Sequence, residues 1–151
     1  MKFLIKKYLS GQDLKTISET IASVENGTSG EIRVIIRHKR SWRERQLSLH
    51  ELALGEFTRL RMQHTKHRTG ILILLLMSER KFHIIADEGI HAKVEEGTWE
   101  RVASSMSSHF KQGNFAQGLC DAVEAVGSGL QKYFPRSSED RDELSNEVIE
   151  R

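Results

Sequence analysis

Residues 67–90 read HRTGILILLLMSERKFHIIADEGI. Residues 69–77 run without polar alternation and carry β-branches at Ile71 and Ile73. A run of that length, between Gly70 and a polar turn, reads as a strand covered on both faces. Ser78 and Glu79 make the turn. Residues 80–87 then run back, with Phe82, Ile84 and Ala86 on one face and His83 and Ile85 on the other. This is a β-hairpin at the centre of a layered fold. It returns Asp87 and Glu88 to the start of its first strand, beside Arg68.

Upstream, Ser10 caps a helix, with Asp13 at the third position to answer its free amides. Leu14, Ile17, Ile21 and Val24 form its buried stripe. Asn26-Gly27 ends it, since both residues tolerate a left-handed stop. Residues 1–8 read as an edge strand or a short helix. Glu31 to Arg37 is a strand with Ile32, Val34 and Ile36 on one face. Arg33, Ile35 and Arg37 share the other, which is expected to be only partly covered. Ser41 and Glu44 open a second helix as a capping box, with Leu49, Leu52, Ala53, Phe57 and Leu60 as its stripe and an end near Met62. This strand–helix–strand order implies a parallel crossover.

Downstream, residues 90–94 form a short turn or helix. Gly97 and Thr98 open a helix with Trp99, Val102, Ala103, Met106 and Phe110 on its apolar face. Gly113 stops it and Asn114 caps the last helix, whose stripe is Phe115, Leu119, Ala122, Val123, Val126, Leu130 and Phe134. The expected fold is α/β: a three-layer α/β/α sandwich with a mixed sheet of three to four strands and about four flanking helices. One domain covers 1–135. The charged tail 136–151 is expected to be disordered or a frayed helix.

With 151 residues, the chain can bury a core of its own. A net charge of +2 is too small to make nonspecific nucleic-acid binding the first reading. One cysteine, Cys120, excludes an intramolecular disulfide. It lies beside an apolar helix face and reads as a packed residue. The amino terminus has three consecutive apolar residues, too few for a signal-peptide core. The run at 69–77 falls short of the ~20 residues of a membrane-spanning helix. The chain reads as soluble, cytoplasmic and monomeric. No nucleophile elbow or phosphate-cradling glycine loop is present.

Two ends of the sheet could carry chemistry. At one, the hairpin should gather Glu31, Arg68, Asp87, Glu88 and His91, with Thr28, Ser29 and Thr65 nearby. Carboxylates around one hollow suit calcium or magnesium, which take oxygen ligands, or acid–base work. The plain alternative is that Arg68 pairs with Asp87 while Glu31 faces water. At the other end, His38, Lys39, Arg40, Arg43 and Arg45 surround Trp42 at a helix start. That arrangement suits an anion such as phosphate, an acidic partner or nucleic acid, or is a solvated basic face tied by Glu44 and Glu51. His64 and His67 alone supply too few ligands for zinc.

The order Thr28-Ser29-Gly30-Glu31-Ile32, Arg68-Thr69-Gly70-Ile71-Leu72-Ile73, Arg80-Lys81-Phe82-His83-Ile84 and Asp87-Glu88-Gly89-Ile90 resembles the TPM-domain family. Trp99, Phe110, Gly113, Phe115, Gly118-Leu119 and Phe134-Pro135 continue the resemblance, which covers about 9–135 and fits the short soluble bacterial branch best. It implies an α/β/α sandwich with an acidic cleft able to hold calcium. It also implies kinship with thylakoid-lumen proteins of photosystem II repair, for which acid phosphatase activity has been proposed. Carried onto this chain, the matching positions are Glu31 and the Asp87-Glu88-Gly89 turn, so the metal positions would be Glu31, Asp87 and Glu88. In a phosphatase reading the catalytic set is Asp87, Glu88, Arg68 and His91. The carboxylates would hold calcium or magnesium while Arg68 or His91 steadies a phosphate. The chain departs from the family pattern in having no acid within residues 1–8, and in Asp-Glu-Gly where many members have a glycine pair. The expected function is therefore a binding module with weak or no catalysis. Its partner would be an unknown protein or a small phosphorylated ligand, with nucleic acid disfavoured. A metal-assisted acid phosphatase is the alternative.

Overall fold

A computed structural model describes residues 8–65, 67–95, 97–136 and 146–151. The expected element at the amino terminus lies outside them, apart from Tyr8. The hairpin forms as read. Strand β2 (Gly70–Leu76) is buried along its whole length. A 3-10 turn, Met77–Glu79, and a left-handed Arg80 reverse the chain into β3 (Lys81–Ala86). Strand β1 (Glu31–Arg37) pairs parallel with β2, Glu31 standing opposite Gly70. Strand β3 pairs antiparallel, Ile71 opposite Ala86 and Leu76 opposite Lys81.

Helix α1 (Gly11–Glu25) starts from the reciprocal Ser10–Asp13 cap. It stops without a left-handed residue: Asn26 is right-handed, and Gly27 is absent from the positive-φ positions. What favours glycine at 27 is space, because a Cβ there would meet the Gln131 side chain at 2.7 Å. The Ser41–Glu44 box forms, but on a 3-10 turn, Trp42–Glu44. A second box, Ser48–Glu51, starts the true helix α2 (Leu49–Arg59). After β3 come α3 (Glu88–His91), α4 (Thr98–Lys111) and α5 (Phe115–Tyr133). Gly113 adopts φ 80°, the stop the sequence implies. Asn114 precedes α5 without a side-chain capping bond.

Alternation along the strands sends two sets of side chains into two cores. Ile32, Val34, Ile36, Ile71, Ile73 and Leu75 meet α1, α4 and α5. Ile35, Leu72, Leu74, Leu76 and Ile85 meet α2 and Met62. Three layers result, as expected. The second face of β1 is fully covered rather than partly so, since Arg33 and Arg37 are each 9% exposed.

The carboxyl-terminal tail departs most from expectation. Residues 137–145 lie outside the described residues, but 146–151 return to the sheet. Strand β4 (Ile149–Glu150) lies parallel to β1 and gives the order β3-β2-β1-β4. Arg151 donates its N–H to the Ile36 carbonyl at 2.9 Å and accepts from His38 N–H at 2.9 Å. Val148 packs on the α1 side and Ile149 on the α2 side. Further down β1, the edge N–H of Ile32 donates to the buried Glu25 carboxylate at 2.8 Å. The Arg151 guanidinium reaches Glu56, an acid only 2% exposed, which Arg59 also pairs.

Candidate functional site

The end of the hairpin does bring Arg68, Asp87 and Glu88 together. Asp87 ends β3 and caps α3, its Oδ1 accepting the Glu88 N–H at 2.8 Å. Arg68 donates Nε to Asp87 Oδ2 at 2.8 Å and Nη2 to Oδ1 at 2.9 Å. Its Nη1 lies 3.3 Å from Glu88. This bidentate hold raises the Arg68 guanidinium above its ordinary value. Arg68 is left-handed, φ 56°, a conformation that costs a non-glycine residue about 1 kcal/mol. Its carbonyl accepts the Gly89 N–H at 3.0 Å. Gly89 is fixed by space: a Cβ there would stand 2.4 Å from the His67 carbonyl oxygen and 2.6 Å from that of Arg68. The Asp-Glu-Gly turn and the Arg68 loop are thus locked backbone to backbone.

Glu31 does not join them. It stands across Gly70 from Asp87, two strands away, which is roughly 10 Å at the spacing of paired strands. Met62 fills the space over Gly70, its side-chain atoms 3.5 Å from where a Cβ would be. Glu31 is buried, and its charge bears on Arg33 in the next inward-facing position. Burial lowers the Arg33 guanidinium, against the opposing pull of Glu25, Glu147 and Glu31. Thr28 turns its hydroxyl to the end of α5, donating to the carbonyls of Leu130 and Phe134. The Ser29 hydroxyl also donates to Phe134. Thr65 holds the loop by accepting the Thr69 N–H.

This arrangement does not fit a calcium or magnesium ion. Both Asp87 oxygens already accept from a guanidinium, whose positive charge opposes a cation at the same carboxylate. Among the described residues, no three His, Cys, Asp or Glu side chains are placed to hold a metal.

The basic end proves to be internally tied. Arg37 grips Glu44 through both terminal guanidinium nitrogens, Nη2 at 2.6 Å and Nη1 at 2.8 Å, and holds the Glu44 carboxyl down at about 2. Arg40 pairs with Glu79 and donates to the Glu44 and Leu47 carbonyls. Trp42 is 74% exposed, with Arg45 stacked 4.8 Å from its ring. Cys120 is packed as expected, accepting from the Thr20 hydroxyl while burial raises its thiol.

The feature not anticipated from sequence lies along β3. On the α2 side, a groove of 490 Å³ is lined by Leu54, Phe57 and Ile85, with His50, Asp87 and His91 at its polar rim. On the α4 side, a second of 350 Å³ is lined by Phe82, Trp99 and Ala103. Ile84 lines both, so the two grooves are the two sides of one strand edge. The Asp87 N–H to Gly70 carbonyl bond sets the ladder phase. In an antiparallel pair, bonded and outward residues alternate. Phe82, Ile84 and Ala86 therefore present their backbone groups outward, and no described backbone hydrogen bond outside the β2 ladder reaches them. Above this edge, His50 Nδ1 and His83 Nε2 meet at 2.9 Å. Burial, then the neighbouring His50, pushes the His83 imidazole down. The hydrophobic alternation of 82–86 was the available signal, but an edge strand and a central one share it.

No helix among the described residues is long and apolar enough to cross a membrane. A family model described as the TPM domain matches residues 5–129. Among solved structures, the BA42 protein from the psychrophilic bacterium Bizionia argentinensis is similar at 35% identity and a TM-score of 0.85, covering 95% of each chain. The N-terminal domain of a protein from P. gingivalis shares the fold at 20% identity and TM-score 0.68, over 83% of this chain and 78% of that one. The N-terminal domain of cg2496 from Corynebacterium glutamicum does so at 14% and 0.62, over 89% and 80%. No curated protein matches.

Proposed function

The chain belongs to the TPM domain family, and from that premise we propose that it is a binding module with weak or no catalysis of its own. Its ligand is an extended segment of a protein partner, added as a strand to the open edge of β3. The observation that carries this reading is the pair of grooves meeting at Ile84, one on each side of the outward backbone groups. An added strand sends alternate side chains to opposite faces. Its backbone bonds supply affinity, and the flanking pockets supply specificity. The opposite edge favours the same kind of occupant, because there the chain's own Val148 and Ile149 pack to alternate sides of β1. The metal-assisted phosphatase reading would need Glu31 beside Asp87 and Glu88, with Asp87 released from Arg68. The bidentate pair and the intervening Met62 weigh against it.

The test is a titration with a seven-residue peptide of alternating valine and threonine, followed by amide NMR and hydrogen exchange. Binding should protect the amides of Phe82, Ile84 and Ala86. Ile84→Pro removes an outward N–H while leaving the β2 ladder its donors, a substitution edge strands tolerate. It should weaken binding at least tenfold. Unchanged affinity in that variant, or no protection in the parent, removes the proposal.

A further inference from the structure

On the far side of the sheet from α2, a separate pocket of 210 Å³ opens between the α3–α4 connection and the second half of α5. Its floor is the main core: Ile71 and Ile90 are fully buried, and Val126 and Leu130 nearly so. Its charged lining residues among those described are Arg101, Lys132 and Glu95, two cations to one acid. Glu95 accepts from the Tyr133 hydroxyl at 3.2 Å and from Lys132 Nζ at 3.4 Å. Both charged partners of that ion pair are more than 60% exposed, at 63% and 64%, so the tie across the mouth is a weak one. The Arg101 guanidinium donates to the Thr98 hydroxyl at 3.3 Å, and its charge bears on Glu95.

The glycines of α5 add an independent observation. Gly118 and Gly127 are demanded by packing, since a Cβ at either would press on Phe110 or on Val24. Gly129 is different. It lines the pocket, its φ is not positive, and a Cβ there would meet nothing within 4 Å. Glycine inside a helix is destabilising relative to alanine, and neither space nor backbone shape requires it here. Glycine at 129 leaves that part of the pocket lining open.

We infer that this pocket binds a small carboxylate with an apolar body. The body lies on Ile71, Ile90, Val126 and Leu130, and the carboxylate displaces Glu95 from Lys132 and Tyr133, with Arg101 as a second cation. The size is adequate, because an apolar cavity of about 150 Å³ already takes up benzene. An apolar floor with a few convergent polar groups at the rim is the usual make-up of a small-ligand site. The pocket shares Trp99 with the α4-side groove of β3 but has its own apolar floor, and the inference does not depend on the peptide proposal.

The experiment titrates the full chain with 3-phenylpropionate and with its neutral amide, read by NMR shifts and by the thermal midpoint. Saturable shifts are expected at Ile71, Ile90, Trp99 and Val126, with the carboxylate binding at least fivefold tighter than the amide. Gly129→Leu fills the mouth and should weaken binding at least tenfold while holding or raising the thermal midpoint. Lys132→Gln should erase the preference for the carboxylate while leaving amide binding in place. If Gly129→Leu folds poorly, Gly129→Ala gives a smaller obstruction and should still weaken binding. Equal affinity for acid and amide overturns the anion assignment. No saturable binding, or full binding in a folded Gly129 variant, overturns the site.

Discussion

The two edges of the sheet end differently. At the β1 edge, Glu25 takes the Ile32 N–H, the backbone of Arg151 bonds Ile36 and His38, and Val148 and Ile149 fill the two cores alternately. At the β3 edge, the outward groups of Phe82, Ile84 and Ala86 have grooves on both sides and no described strand beside them. An uncovered strand edge is a template for another chain, and proteins usually blunt it. Lys81 at the start of β3 is the sort of charge that does so. The sandwich thus closes one edge with its own sequence, and in the proposed reading the other takes a strand from a partner. The closed edge serves as a worked example of how the open one would be filled.

The largest effect should come from the latch that ends the open edge. In Gly89→Ala the new methyl meets two carbonyl oxygens of the backbone, at 2.4 and 2.6 Å. Backbone cannot give way as a side chain can, so a loss of about 3 kcal/mol is expected in urea unfolding. Because the strain falls on the Arg68–Asp87 lock, exchange of the His83 and Ile85 amides should quicken more than that of Arg33 and Ile35. Uniform loss across the sheet would show that the latch does not hold β3 in particular. A smaller effect, about 2 kcal/mol, is expected from Ile149→Asp combined with Arg151→Ala. These changes remove a half-buried aliphatic side chain and one of the cations on buried Glu56. They also convert the closed edge into an open one. The alternating peptide should then protect the amides of Ile36 and His38 as well as those of β3. If it protects only β3, the edges differ in more than their cover.

Much of this was legible locally. The hairpin, β1 and the Ser10–Asp13 cap follow from patterns within a dozen residues, and the fold needed little more. Strand β4 was hidden because Val148 and Ile149 are two apolar residues in a charged tail. Their meaning depends on β1 lying alongside. Glu56 was equally silent: an acid on a helix becomes a buried anchor only when Arg59 and Arg151 arrive at it. The gathering of Arg68, Asp87 and Glu88 was deducible from strand direction, whereas the exclusion of Glu31 was not. It turns on Met62 lying over Gly70, a packing choice across layers that no periodicity encodes. The true start of α2 was missed for a different reason. Ser41–Glu44 and Ser48–Glu51 are both valid boxes, and propensity does not rank the two.

The smallest effect separates the edges by pH. Beside the closed edge, Glu44 is held at about 2 by Arg37, so its contribution is present above its unfolded value near 4.5 and fades only as pH falls toward 2. Over the open edge, His83 is pushed below its ordinary value of 6.5 by burial and by His50. The unfolded chain then takes up a proton there more readily than the folded one, and stability declines as pH falls below 6.5. The neighbouring His50 adds to that effect but is the smaller of its two causes. Between pH 7 and 5, the parent should therefore lose slightly more stability than His50→Gln, in which burial still acts on His83. Peptide affinity at β3 should follow the same trend, because His50 and His83 line the two grooves that flank the strand. A parent and variant with parallel stability curves over that range would show that His50 adds nothing to the effect of burial on His83.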